Sequence, residues 1–192
     1  MTPSPRDAGA ERAIAARGDG AQSQAFLATH RGQAAFAREY ARLISAIVAN
    51  AQMVGKMDPE RPAVVRQSPE RVILQLGPVA LTVAWLRKGG NSAAIGELLF
   101  IFWRGTIASR GGEPTAYTAK RSAAVPPAIV FEETLVAYAI DEATWTWRTA
   151  SLEVEGVSSA ILAERCVRRL VELQDQDAAV PQASISLVTT TA

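Results

Sequence analysis

Residues 71 to 104 read RVILQLGPVALTVAWLRKGGNSAAIGELLFIFWR, and the spacing of their apolar side chains decides the fold class. Val72, Leu74 and Leu76 alternate with Ile73 and Gln75, and Val79, Leu81, Val83 and Trp85 repeat the same period of two, which is the spacing of strands. Gly77-Pro78 bends or interrupts the first strand, and Lys88-Gly89-Gly90-Asn91 makes a turn into a third segment. In that segment, Glu97 to Ile107, Leu98, Phe100 and Phe102 oppose Leu99, Ile101 and Trp103, so both faces are apolar. A strand with no polar face belongs in the middle of a sheet covered on both sides, by helices or by another subunit.

Beyond it, Thr115 to Arg121 reads as a weak strand whose Lys120 and Arg121 suit an edge. Pro126-Pro127 breaks the chain, and Ile129 to Ile140 follows as a long strand. Asp141-Glu142 supplies the polar residues of a tight turn into Ala143 to Thr149. There Trp145 and Trp147 share one face, and Thr144, Thr146 and Arg148 take the other. All four tryptophans thus fall between Arg71 and Thr149.

Helical patterning flanks this block. Phe36, Tyr40, Leu43, Ile44, Ile47, Val48, Ala51 and Val54 keep the three-and-four spacing of one helical face from Gln33 onward, and Gly32 weakens any join to Phe26-Leu27. Gly55, Pro59 and Pro62 end that helix and open a linker. After the strands, Ser158 caps a second helix with Leu162, Cys166, Leu170 and Leu173 on its apolar stripe. Residues 1–22 and 175–192 are too polar and small to offset ordering entropy and read as flexible tails, although Ser184 to Thr190 has the composition of an added strand. The prediction is one α+β domain over 23–174. It is an antiparallel meander of about five strands packed with an N-terminal and a C-terminal long helix.

Composition narrows the function. The chain has 192 residues, 48% hydrophobic and 20% charged, with a formal net charge of +1. It therefore presents no global field for a polyanion. A preference for arginine over lysine reads as a GC-rich, bacterial genome. The single cysteine, Cys166, excludes an intramolecular disulfide, and no apolar run is long enough to span a bilayer, so a soluble cytoplasmic protein is expected.

No phosphate-binding loop, dinucleotide fingerprint or nucleophile elbow occurs. His30, the only histidine, has no nearby partner for acid-base or metal chemistry, and Cys166 on an apolar stripe reads as a packed thiol. Glu132 and Glu133 point to opposite faces of a strand and cannot act on one reacting group. No catalytic residue, metal ligand or cofactor is assigned.

The residues singled out for binding are Trp145, Trp147 and Arg148, with Trp103 and Arg104, because aromatics beside arginines can stack a planar ligand. The same residues can equally be core beneath helices. The leading expectation is a non-catalytic binding or adaptor domain acting through protein contacts, as a homodimer. The alternatives are a small-ligand binder with an aromatic-lined pocket, and a nucleic-acid binder using Arg104, Lys120, Arg121 and Arg148.

Overall fold

Gly77-Pro78 turns out to be a hairpin. In the computed structural model, which describes residues 19–58, 63–88, 94–107, 126–149 and 156–179, Leu76 pairs with Val79 across a two-residue turn. Gly77 has a φ of 55°, the positive value that the first central position of a II′-type hairpin requires. What looks in sequence like one interrupted strand is therefore two antiparallel ones.

The sheet has six described strands in sequence order: β1 (Val64–Ser68), β2 (Arg71–Leu76), β3 (Val79–Arg87), β4 (Gly96–Arg104), β5 (Ala128–Ala139) and β6 (Trp145–Thr149). Every neighbouring pair is antiparallel, as the closely spaced strands β1–β2, β2–β3 and β5–β6 must be; β4 and β5, separated by residues 105–127, pair the same way. β1 lies where a linker was expected. Its sequence, VVRQS, is too short and polar to show a period, and it forms because β2 offers a free edge. The strand expected over Thr115 to Arg121 and the one over Ser184 to Thr190 lie outside the described residues.

Helical backbone covers 19–28 (α1), His30–Met57 (α2) and Ser159–Ala179 (α3). Residues 19–22 and 175–179 are thus helical, inside segments expected to be tails; the remainder of both tails lies outside the described residues. The break between α1 and α2 is cut by Thr29, whose hydroxyl accepts from the Gly32 N–H at 3.0 Å and donates to the Phe26 carbonyl at 2.7 Å. Gly32 is required there, because a Cβ would lie 2.1 Å from the Phe26 carbonyl oxygen. At the other end of the chain, Ser158 caps α3 as its position predicts, accepting from the Ile161 N–H.

Both long helices pack on one face of the sheet. Leu43, Ile44 and Ile47 of α2 and Leu162, Cys166, Leu170 and Leu173 of α3 share a single core with inward-facing side chains of β2 to β6. Trp85, Phe100, Leu135 and Trp147 are among these. Each large side chain removed from water there contributes about 1.5–3 kcal/mol, the main stabilisation of the two-layer architecture.

Candidate functional site

Trp147 is fully buried, at 0% exposure. Its ring meets Trp145 and Trp85 edge-on at 6.0 and 6.4 Å, and Phe36 of α2 closes on Trp85 at 4.5 Å and on Trp145 at 6.2 Å. These three tryptophans form an inner aromatic cluster beneath α2. The Trp147 indole N–H donates to Ser159 Oγ at 2.7 Å, and that hydroxyl donates to Glu39 Oε1 at 2.6 Å.

The other candidates lie elsewhere. Trp103 is half-buried on the opposite face of the sheet, its indole N–H donating to Thr82 Oγ1 at 3.0 Å. Arg148 is also on that face, with its guanidinium carbon 3.5 Å from the Tyr138 ring centroid. Trp103 and Leu98 are five residues apart on β4, roughly 17 Å. Arg148 pairs beyond the Leu98 level, with Val136, so the two are not neighbours. Arg104 is exposed at the end of β4. The five residues therefore do not converge on one ligand. Trp145 and Trp147 share a face, as their alternation predicts, but it is the covered one.

His30 is exposed in the first turn of α2. Cys166 is buried, and burial pushes its thiol up to about 12, with Arg165 lowering it and Glu133 raising it by smaller amounts. A neutral thiol of that kind is a poor nucleophile at neutral pH. Glu133 faces α3, where its carboxylate takes Arg165 at 2.5 and 2.6 Å, while Glu132 is on the other face.

The feature that sequence alone undervalued is the outer sheet face. Ile73 of β2, Ala84 of β3, Leu99, Ile101 and Trp103 of β4 and Val136 of β5 are half-buried there, while Gln75, Ala80, Thr82 and Tyr138 on the same face are buried, the Trp103 indole reaching over β3 to Thr82. No member of the core cluster belongs to this face, and neither α2 nor α3 shares a hydrophobic cluster with it. Its columns are ordered by the register. Arg66, Ile73, Thr82, Ile101 and Glu132 stand in one row across β1 to β5. Val64, Gln75, Ala80, Trp103 and Ile129 form the next, and Ser68, Arg71, Ala84, Leu99 and Thr134 the third.

Comparison with protein-family models, with curated proteins and with solved structures finds no match to this chain. Function must therefore be read from surfaces.

Two of the concave features among the described residues involve the helices. A cleft of about 330 Å³ is lined by Phe102, Phe131, Glu133, Arg165, Cys166 and Arg169. Arg169 stands 5.7 Å over the Phe131 ring, but it also pairs with Glu172, as Arg165 pairs with Glu133. A groove of about 340 Å³ runs between α2 and α3, with Met53 and Met57 exposed at 60% and 82% on its rim. Among the described residues no helix is long and apolar enough to cross a membrane.

Proposed function

We propose that this chain is a non-catalytic binding module that works through protein contacts made by its outer sheet face. One observation carries the reading: β4 is apolar on both sides, and the long helices cover only the side of Leu98, Phe100 and Phe102. Leu99, Ile101 and Trp103 then present a contiguous apolar strip, which on a folded protein marks a surface that meets another. Trp147 is fully buried and Trp145 is half-buried against the same core, so this reading places the contact surface on β4 rather than on β6. We place the protein in a reducing cytoplasm, a reading supported by a single cysteine that can form no intramolecular disulfide.

The test is accessibility of that strip. An apolar-surface dye and carbene footprinting are applied to dilute protein and to Ile101→Lys, with circular dichroism as the control for folding. Dye binding that the substitution abolishes supports the reading, as does protection of Leu99 and Ile101 that disappears when the protein dissociates. A monomer in which both residues are protected overturns it, because the face is then closed by its own chain.

A second reading rests on the Phe102–Phe131 cleft, whose volume falls in the range of small-molecule sites. One guanidinium, that of Arg169, stands over the Phe131 ring, and with Arg165 beside it the cleft suits a planar, acidic ligand that competes with Glu133 and Glu172 for the two arginines. Loss of binding in Phe131→Ala and Arg169→Ala, in a screen of aromatic carboxylates, is the result expected of that reading.

A further inference from the structure

We infer that the groove between α2 and α3 is the seat of the chain's own segment Ser184 to Thr190, folded back along α3 after the helix ends. The inference stands apart from the β4 strip and concerns the helical layer of the molecule.

The groove has the chemistry of a covered seam. Val54, Val167 and Val171 form its floor, and Met53 and Met57, one helical turn apart on α2, stand over it with 60% and 82% of their surface exposed. Single exposed apolar side chains are ordinary on a folded protein. Two thioethers beside an apolar floor, around about 340 Å³ of open space, instead make a continuous patch that is stabilised by losing its water. Methionine suits such a seat, because its unbranched, polarizable side chain adapts to what lies on it.

Charge selects the kind of occupant. The two charged residues that line the groove, Glu164 and Arg168, pair with each other. An uncharged segment laid between them leaves that pair intact, whereas a charged one brings a group for which the groove holds no free counter-charge. Residues 180–192 contain no charged side chain, and Ile185, Leu187 and Val188 lie among their serines and threonines. Residues 1–18 carry Arg6, Asp7, Glu11, Arg12 and Arg17 against one branched aliphatic, Ile14, and fit the groove poorly.

Chain length agrees. α2 and α3 run side by side in the same sense, since Glu39 meets Ser159 at the start of α3 and the groove joins Asn50 to Met57 with Glu164 to Val171. From Val171 the helix continues to Ala179, eight residues or about 12 Å past the groove. Pro181 lacks the N–H that another turn needs and disfavours helical backbone at Val180, which stops the helix within reach of its own groove. Six residues separate Ala179 from Ile185, up to ~20 Å when extended, and eight separate it from Leu187, up to ~27 Å. Val171 lies ~12 Å back along the axis and Val167 ~18 Å, so each apolar residue reaches its level with several ångströms left for the reversal. The groove spans seven residues of each helix, ~10 Å, and Ile185 to Val188 in extended form span the same length. Alternation then turns Ile185 and Leu187 to the floor and Ser184 and Ser186 to water. A tether this short holds the segment at an effective concentration on the order of millimolar, so a modest contact keeps it seated.

The experiment is peroxide oxidation of the full chain, read by peptide mass spectrometry that separates Met53 and Met57 from Met1, with free methionine as the reference. In the wild-type chain Met53 and Met57 are expected to oxidise at least about fivefold more slowly than free methionine, at a rate independent of protein concentration. Ile185→Asp combined with Leu187→Asp should bring both to within about twofold of the reference, with circular dichroism as the control for folding. Oxidation of the wild-type residues at the free rate overturns the inference. Protection that survives the double substitution also overturns it, because another element then covers the groove, and protection that fades on dilution assigns the groove to a second copy instead. A cross-link tests the same contact without added charge. Met57→Cys with Ile185→Cys should close a disulfide at least about tenfold faster than Glu172→Cys with Ile185→Cys, because Glu172 follows Val171 on α3 but does not line the groove. Cys166 is buried and does not compete. Equal rates for the two pairs sink the proposal.

Discussion

The indole N–H of Trp147 and the hydroxyl of Ser159 are 2.7 Å apart, and through Glu39 they fasten β6, α3 and α2 at one point. The bond lies in the most buried part of the molecule, where an unpaired donor is costly. Ser159→Ala is expected to lower unfolding free energy by about 1–3 kcal/mol, because it strands the buried Trp147 N–H and takes one of two partners from the Glu39 carboxylate, which keeps Arg42. Urea denaturation followed by tryptophan fluorescence measures the change, and an unaltered midpoint would show the contact to be energetically idle.

Gln75 is a second such fastening, on the outer face. Only 4% exposed, its side-chain amide donates to the carbonyls of Gly77, Val79 and Gly105, at 2.8, 3.0 and 3.2 Å. Its oxygen accepts from the Ile107 N–H at 2.9 Å. It thereby ties the β2–β3 hairpin to the chain leaving β4. Gln75→Leu should destabilise the protein by roughly 2–3 kcal/mol, since it leaves several backbone groups without a partner. Hydrogen exchange should quicken first at Ile107.

Acid stability should carry a contribution from the β5–β6 turn. Asp141 Oδ1 accepts from the N–H groups of Thr144 and Ala143, at 2.6 and 2.8 Å, and these bonds hold its carboxyl below the ordinary value, the Thr144 bond most of all. A carboxyl lowered in the folded state stabilises the protein above its unfolded pKa of about 4, and that contribution is lost as pH falls through the folded value. Asp141→Asn keeps an acceptor but cannot titrate. Its stability should fall less steeply than wild type between pH 4 and pH 2, as read from thermal midpoints (~pH values from).

The opposite limb belongs to Cys166. Its folded thiol is raised to about 12 by burial, so the unfolded chain loses that proton at lower pH than the folded one. Stability is then complete below the unfolded value of about 8.5 and declines as pH rises toward the folded one. Cys166→Ala should flatten that decline. Alkylation of the native thiol at pH 8 should also be slow, and should accelerate with denaturant in step with unfolding.

Much of the architecture was legible before any coordinates. The period of two in β3 and β4, the period of 3.6 in α2 and α3, the turn at Asp141-Glu142 and the cap at Ser158 all reflect interactions within a few residues of chain, which local pattern records. Gly77-Pro78 was ambiguous because a bend and a hairpin ask for the same residues; only the pairing of Arg71 with Ala84 separates them. β1 was hidden for a related reason, since VVRQS becomes a strand only when the β2 edge is beside it.

The candidate site was less legible. Trp145 and Trp147 alternate with threonine and precede Arg148, a pattern shared by an exposed platform and by the lining of a core. Burial decided it, and burial depends on where α2 lies, some hundred residues earlier in the chain.

Sequence by itself determined the α+β class, the antiparallel order, the two long helices and the two apolar faces of β4, because each is written in side-chain spacing along a continuous segment. Tertiary structure alone decided which face of the sheet the helices cover. That choice puts Trp147 inside and leaves Leu99, Ile101 and Trp103 outside, and it aligns Arg66 and Glu132 in one row. Residues so far apart in the chain become neighbours only through strand register and helix packing, which no local period encodes.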